Sequence, residues 1–232
     1  PAVAEIMAAA GFEWLVVDLE HSLLTLETAG ELIRVIELCG ASPLVRLTSN
    51  DSDQIKRVMD GGAHGIIVPM VLSADDAAKA VAATRYPPAG TRGVGLGRAQ
   101  RYGAGFEEYL SWQVDGPIII VQIEHRDSVA NLEAILAVPG IGGFIIGPYD
   151  LSASMGIPGQ FDDPVFLECM ETIRSTARRM GVPSGIHLVE PDVAALRQAV
   201  ADGYSLIAYG VDFRFLDVTA RLGVSAMREL LS

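Results

Sequence analysis

Cysteine, lysine, long apolar runs and positive charge are all scarce in this sequence, and each scarcity removes a class of function. The two cysteines, Cys39 and Cys169, sit in helix-like stretches with neither CxxC nor metal-type spacing, so they read as small core residues. That usage favours a reducing, cytoplasmic setting. The only lysines, Lys56 and Lys79, also lie in helix-like stretches away from strand ends, which argues against covalent chemistry through a lysine Schiff base. No apolar run approaches the ~20 residues of a spanning helix. Lys and Arg total 17 against 29 Asp and Glu, and the formal net charge of −12 repels phosphate backbones and anionic lipid. Neither nucleic acid nor a membrane is therefore expected as a partner. An anionic small molecule has to be attracted locally, by a metal ion or a buried arginine.

What is present is core. Half of the 232 residues are apolar and a fifth are charged, proportions that suit a well-buried fold and argue against disorder. Short apolar runs alternate with amphipathic helical stretches throughout, without a linker or charge block, so residues 1–232 read as a single domain. The strand candidates are Trp14–Asp18, Pro43–Arg46, Gly65–Pro69, Pro117–Ile123, Gly142–Ile146, Pro183–Ile186 and Tyr204–Tyr209. Continuous apolar runs of this kind mark strands buried on both faces, as in parallel sheets.

Helix punctuation separates them. Glu27–Cys39 carries Ala29, Leu32, Ile33, Ile36 and Leu38 at near-helical spacing and stops at Gly40. Ser73 and Asp76 form a capping-box pattern before Ala77–Thr84. Asp163 followed by Pro164 reads as an N-cap with proline at the first helical position, and that helix runs to Gly181; Asp192–Asp202 ends at Gly203.

Strict strand–helix alternation means parallel strands with right-handed crossovers, in a doubly wound open sheet or a closed barrel. The open sheet usually carries a glycine-rich turn after its first strand, whereas here that strand ends Val17-Asp-Leu-Glu-His21. A TIM-type β/α barrel is the expectation. Such a barrel has eight strands, so the first is expected upstream of Pro1, with Ala2–Ala10 as its helix.

In a barrel the chemistry gathers at the carboxyl ends of the strands. Those ends carry Asp18, Glu20 and His21, then Arg46, then Gln122 and Glu124, then Asp150, then His187. Glu124 stands at the edge of the apolar run 118–123, where a lone carboxylate is costly and calls for a cation. Asp150 follows the next strand, and neighbouring strands lie ~5 Å apart, close enough for both carboxylates to share one ion. Two oxygen ligands with open positions suit Mg²⁺, Mn²⁺ or a similar divalent ion such as Co²⁺ rather than structural zinc. An ion pair of Glu124 with Arg126 or Arg46 is the alternative. The turn Gly147–Ser152 leads from strand into helix, and its free backbone N–H groups could hold a carboxylate beside the metal.

These residues resemble a known family. Val17-Asp-Leu-Glu-His21, Val45-Arg46, Ile67-Val-Pro-Met-Val71, Arg85-Tyr-Pro-Pro-Ala-Gly-Thr-Arg-Gly-Val-Gly95, Val121-Gln-Ile-Glu124 and Ile146-Gly-Pro-Tyr-Asp-Leu-Ser152 are similar to the class II pyruvate aldolases. These are the relatives of 4-hydroxy-2-oxoheptanedioate and 2-dehydro-3-deoxyglucarate aldolases. The resemblance implies a metal-dependent cleavage of 4-hydroxy-2-oxo acids to pyruvate and an aldehyde through a metal-stabilised enolate. It implies that Glu124 and Asp150 bind the ion, that Arg46 contacts the keto oxygen and that His21 works with a metal-bound water as acid/base. Gln122 is implied beside the pyruvate methyl, with Gly147, Tyr149 and Asp150 in the carboxylate-holding turn. The family also pairs the histidine with an acid matching Asp60. Asp60 closes a helix that begins at the barrel mouth, so it belongs near the opposite face unless a neighbouring subunit supplies it; a solvated helix end is the alternative.

The chain departs from the family at His125, Tyr149 and His187, where Thr, a small residue and an apolar residue are usual. The donor machinery is intact and the acceptor-aldehyde pocket is altered. His187 is expected at the mouth, away from the pyruvate-binding turn and tuning the acceptor. The apolar residues of Phe215–Leu231 exceed what one barrel side covers, and the resemblance implies a homohexamer built from dimers. Two rival readings are a citrate-lyase β-type enzyme acting on acyl-CoA and a non-catalytic oxo-acid-binding barrel. The first needs more basic surface than Arg92, Arg98 and Arg101 provide, and His21 beside the metal ligands speaks against the second.

Overall fold

The computed structural model describes residues 1–231. Helix α1 (Ala2–Ala9) leads into β1 (Trp14–Asp18), α2 (Leu26–Leu38), β2 (Ser42–Arg46), α3 (Ser52–Asp60), β3 (Gly65–Val68) and α4 (Ala74–Thr84). A 3₁₀ turn (Arg98–Gly103) and α5 (Phe106–Asp115) precede β4 (Ile118–Ile123), α6 (Arg126–Ala130), α7 (Leu132–Leu136), β5 (Gly143–Ile146) and α8 (Pro148–Ser154). The chain closes with α9 (Pro164–Met180), β6 (Ser184–Leu188), α10 (Val193–Ala201), β7 (Leu206–Tyr209) and α11 (Asp212–Leu231). Among the described residues no helix is long and apolar enough to cross a membrane.

All seven strands are parallel and lie in sequence order, β1 to β7, in one sheet. The sheet curls. Phe215 on α11 makes edge contacts with Tyr209 at the end of β7 and with Phe12 ahead of β1, drawing the two sheet edges towards one another.

Because side chains alternate along a strand, each strand sends every second residue to the inside of the curl. Leu44, Ile67, Ile120 and Ile145 form a small inner core with Trp14, Val16 and Leu206. The alternate residues Val17, Val45, Ile66, Ile119, Val121, Phe144 and Ile146 pack outward against the helices in the main core. Carried two residues further along the same inner face, the alternation reaches Asp18, Arg46 and Gln122, and two beyond that Glu124. The inside is thus an apolar plug overlaid by a polar layer at the carboxyl ends.

The helix caps follow their sequence signals. Ser73 accepts from Asp76 N–H and Asp163 from Val165 N–H, while Gly40, Gly181 and Gly203 all take positive φ after their helices. Two readings need correction. Cys39 is exposed, because α2 turns its buried face through Ala29, Ile33 and Ile36 and Cys39 caps the helix beyond it; Cys169 is half-buried. His187 lies within β6, paired with Ala208, rather than just beyond a strand ending at Ile186.

Candidate active site

Asp18 and Arg46 are the last residues of neighbouring strands and are in register, so opposite charges meet at the top of the sheet. Arg46 Nε and Nη2 donate to the two Asp18 oxygens at 2.8 and 2.6 Å, a bidentate fork. Asp18 also organises the chain after it, accepting from Glu20 N–H at 2.9 Å and His21 N–H at 3.3 Å, while Ser22 donates to its carbonyl. These bonds bend the Asp-Leu-Glu-His segment back over the strand ends. Arg46 holds the Asp18 carboxyl below the usual range even though burial alone raises it.

Glu20 is carried inward by this bend. Its Oε2 lies 3.4 Å from Arg46 Nη1 and 3.7 Å from His21 Nε2, and it is buried with no hydrogen-bond partner. Burial raises the Glu20 pKa, and neighbouring Glu124 adds to the rise. His21 stays at the rim with its side chain 67 % exposed.

Glu124 follows β4 and is 4 % exposed. Its Oε1 accepts from Met70 N–H at 2.7 Å and its Oε2 from Gln122 Nε2 at 2.5 Å. Burial pushes its pKa up, and the nearby negative charge of Asp150 pushes it further, against the lowering effect of the two donors and Arg46. The expected alternative partners are engaged elsewhere: Arg46 with Asp18 and Glu20, Arg126 with Asp127. Gly147 makes room for this carboxylate, since a Cβ there would stand 2.8 Å from Glu124 Oε2. Asp150, exposed, lies in the first turn of α8 directly after that glycine.

A buried carboxylate without an ion-pair partner, a second carboxylate beside it and the unpartnered Gln122 Oε1 make an oxygen-rich recess that fits a hard divalent cation. Two protein carboxylates leave most positions of such an ion open. No cluster of three or more His, Cys, Asp and Glu is assembled among the described residues.

The remaining expected site residues divide. His187 points to the inside of the curl, where burial and the positive charge of Arg46 depress its pKa and the Gly210 backbone bonds to its ring. It therefore faces the Asp18–Arg46 pair at the ends of β1 and β2. Tyr149 is 65 % exposed and packs edge-on against Phe161, with ring centroids 4.9 Å apart. His125 caps α6 by accepting from Asp127 N–H. Asp60 is not brought to the site within this chain. It closes α3 and lies 3.8 Å from the guanidinium of Arg92, a fully buried side chain held over the rings of Tyr86 and Tyr109. Sequence reasoning places Asp18 and Glu20 at a strand end and assigns them no role; the signal that pairs Asp18 with Arg46 is opposite charge at the ends of consecutive strands.

Known proteins share the sequence and the fold. The sequence model described as HpcH/HpaI aldolase/citrate lyase matches residues 1–217. The chain belongs to this family. Within it, the 4-hydroxy-2-oxo-heptane-1,7-dioate aldolase of Salmonella typhimurium is 41% identical over 228 residues, covering 95% of this chain and 86% of the relative. The crystal structure of a family member from Burkholderia cenocepacia superposes with a TM-score of 0.92 at 33% identity, covering 98% of this chain and 90% of that one. A citrate lyase β subunit from M. tuberculosis, at 18% identity and a TM-score of 0.61 over 91% of this chain and 89% of its own, shares the fold alone. The chain is thus an aldolase-type lyase of the family.

Proposed function

We propose that the chain is a divalent-metal-dependent pyruvate aldolase that reversibly cleaves 4-hydroxy-2-oxo acids into pyruvate and an aldehyde. The observation that carries this is the buried, unpaired carboxylate of Glu124 beside Asp150, set next to the Arg46 fork. Glu124 and Asp150 would hold the ion. When bound, it supplies a Lewis acid that draws electron density from the keto group of a 2-oxo acid.

The chain's own residues carry the rest. In the cleavage direction His21 removes the proton from the C4 hydroxyl; the C3–C4 bond breaks, its electron pair stays with the pyruvate fragment as an enolate, and the aldehyde departs. Arg46 Nη1, the nitrogen not bonded to Asp18 and 3.4 Å from Glu20 Oε2, would face the developing oxyanion. Gln122 lies beside C3, which takes up a proton to give pyruvate. The N–H groups of the Gly147–Asp150 turn hold the substrate carboxylate, while Tyr149 and His187 border the aldehyde.

Three further parts belong to the same reading. The curled sheet is the greater part of a TIM-type barrel in a single catalytic domain, with an eighth strand lying between β1 and β7. Helix α11 has no fully buried residue in its own chain and exposes Phe213, Leu216, Leu222, Met227, Leu230 and Leu231, a face that supports a homo-oligomer, a hexamer by family resemblance. In that assembly Asp60 reaches His21 of a neighbouring copy, and the enzyme works in the cytoplasm.

The test is pyruvate release from a panel of 4-hydroxy-2-oxo acids, before and after chelation and after adding back Mg²⁺, Mn²⁺ or Co²⁺. Activity lost on chelation and restored by an ion is expected. Full activity in protein shown to be metal-free refutes the metal, and no pyruvate from any substrate in the reloaded protein refutes the aldolase.

A further inference from the structure

Between β3 and α4 the backbone does something a connection does not require. Met70 takes φ of +51°, the left-handed region that side-chain-bearing residues avoid, and its side chain is half exposed. Burial of that side chain therefore does not compensate the conformation. What the turn achieves is to aim the Met70 N–H at Glu124 Oε1, 2.7 Å away. With Gln122 Nε2 on Oε2, each carboxylate oxygen then holds one donor and keeps lone-pair capacity on its other side.

The strained residue is held from both ends. Pro69 precedes it. After it, the Val71 carbonyl accepts from Ser128 Oγ at 2.7 Å, the Leu72 carbonyl from Asn131 Nδ2 at 2.8 Å, and the Leu72 N–H donates to Asp76 at 3.1 Å. Ser128, fully buried, and Asn131 belong to the segment that follows β4 and Glu124 itself. The chain thus closes a loop of contacts, from Glu124 through α6 to residues 71 and 72 and back through the Met70 amide to Glu124. A strained backbone persists where its surroundings over-determine it, and here they do so beside a candidate ligand.

We infer that Met70 is a positioning residue whose left-handed backbone serves to fix the plane of the Glu124 carboxylate for a divalent cation. This rests on the metal-dependent reading above. It acts through the amide and not through the side chain, so the ordering of variants inverts the one that side-chain chemistry dictates. Valine, apolar but β-branched, is excluded from the left-handed region; asparagine and glycine, unlike methionine in every other respect, enter it readily.

The experiment is titration calorimetry of the chelator-stripped full chain with Mn²⁺, each variant checked for folding by its thermal melt. Met70→Val is expected to weaken Mn²⁺ binding about tenfold to a hundredfold, the range for losing a group that orients a metal ligand, and Met70→Asn and Met70→Gly to recover most of that loss. Wild-type affinity in Met70→Val, or asparagine and glycine variants as weak as valine, overturns the inference. Glu124→Gln separates the two proposals: if it binds Mn²⁺ like the wild type, the metal reading fails, whereas loss there with none in Met70→Val overturns only the role of Met70. Should Met70→Val not fold, Asn131→Ala releases the Leu72 carbonyl from an exposed position. Severalfold weaker Mn²⁺ binding in that folded variant supports the device, and unchanged binding overturns it.

Discussion

Replacing Gly147 with alanine puts a methyl group into space that Glu124 already occupies. The backbone itself permits the change, since φ at Gly147 is −98°. The conflict is with the neighbour: the new Cβ would stand 2.8 Å from Glu124 Oε2 and 2.9 Å from Glu124 Cβ. Ordinary contact begins near 3.4 Å, so one partner must move by about 0.6 Å. Glu124 cannot yield freely, because Met70 N–H and Gln122 hold its two oxygens. If the α8 turn yields instead, Asp150 moves with it. Either way the spacing of the two carboxylates changes. Overpacking of this kind costs about 1–3 kcal/mol, and misplacement of reacting groups by ~1 Å costs on the order of a hundredfold in rate. The expected result is a kcat for pyruvate release about tenfold to a hundredfold lower at saturating Mn²⁺, with weaker Mn²⁺ binding and a lowered melting temperature. Rate and affinity within about twofold of the wild type would show that the site tolerates the shift and that the close approach is without consequence.

Arg46→Lys is expected to lower turnover far more than Mn²⁺ affinity, because an ammonium cannot hold Asp18 bidentately and still face the substrate oxygen; near-normal kcat sinks that role. His187 is held below its usual pKa of 6.5, so the folded state binds fewer protons than the unfolded one as pH falls through that value. Stability is therefore unaffected above about pH 7 and declines towards the depressed value, and His187→Leu should flatten the urea midpoint over that window; an unchanged slope refutes it. Gly30 lies within α2 with open space at its Cβ position, so Gly30→Ala should stabilise the fold by about 0.5–1 kcal/mol in denaturant titrations and leave kcat alone. Leu222→Glu with Leu230→Glu on α11 should shift sedimentation to smaller species, and a wild-type chain that is already a stable monomer at micromolar concentration contradicts the proposed assembly.

Much of this was legible in the residue order because it depends on local periodicity. Trp14–Asp18 is a strand with the expected bounds, the other strands shift by only a few residues at their ends, and the caps at Ser73, Asp163 and Asp192 stand where their side chains can accept a backbone N–H. The polar strand ends, from Asp18 to His187, could be read for the same reason: apolar runs of uniform kind stop where charge begins. What tertiary structure alone decided is which of those ends meet. Register sets Asp18 against Arg46, the bend after β1 carries Glu20 inward while leaving His21 at the rim, and the curl turns His187 towards charges five and four strands away in the sheet order. The Met70 amide is the clearest case, because a backbone N–H has no residue-type signature and its direction depends on Ser128 and Asn131, more than fifty positions later. Cys39 fails in the complementary sense: residue type and spacing suggest a small core residue, but the direction in which α2 turns its apolar face decides that it is exposed.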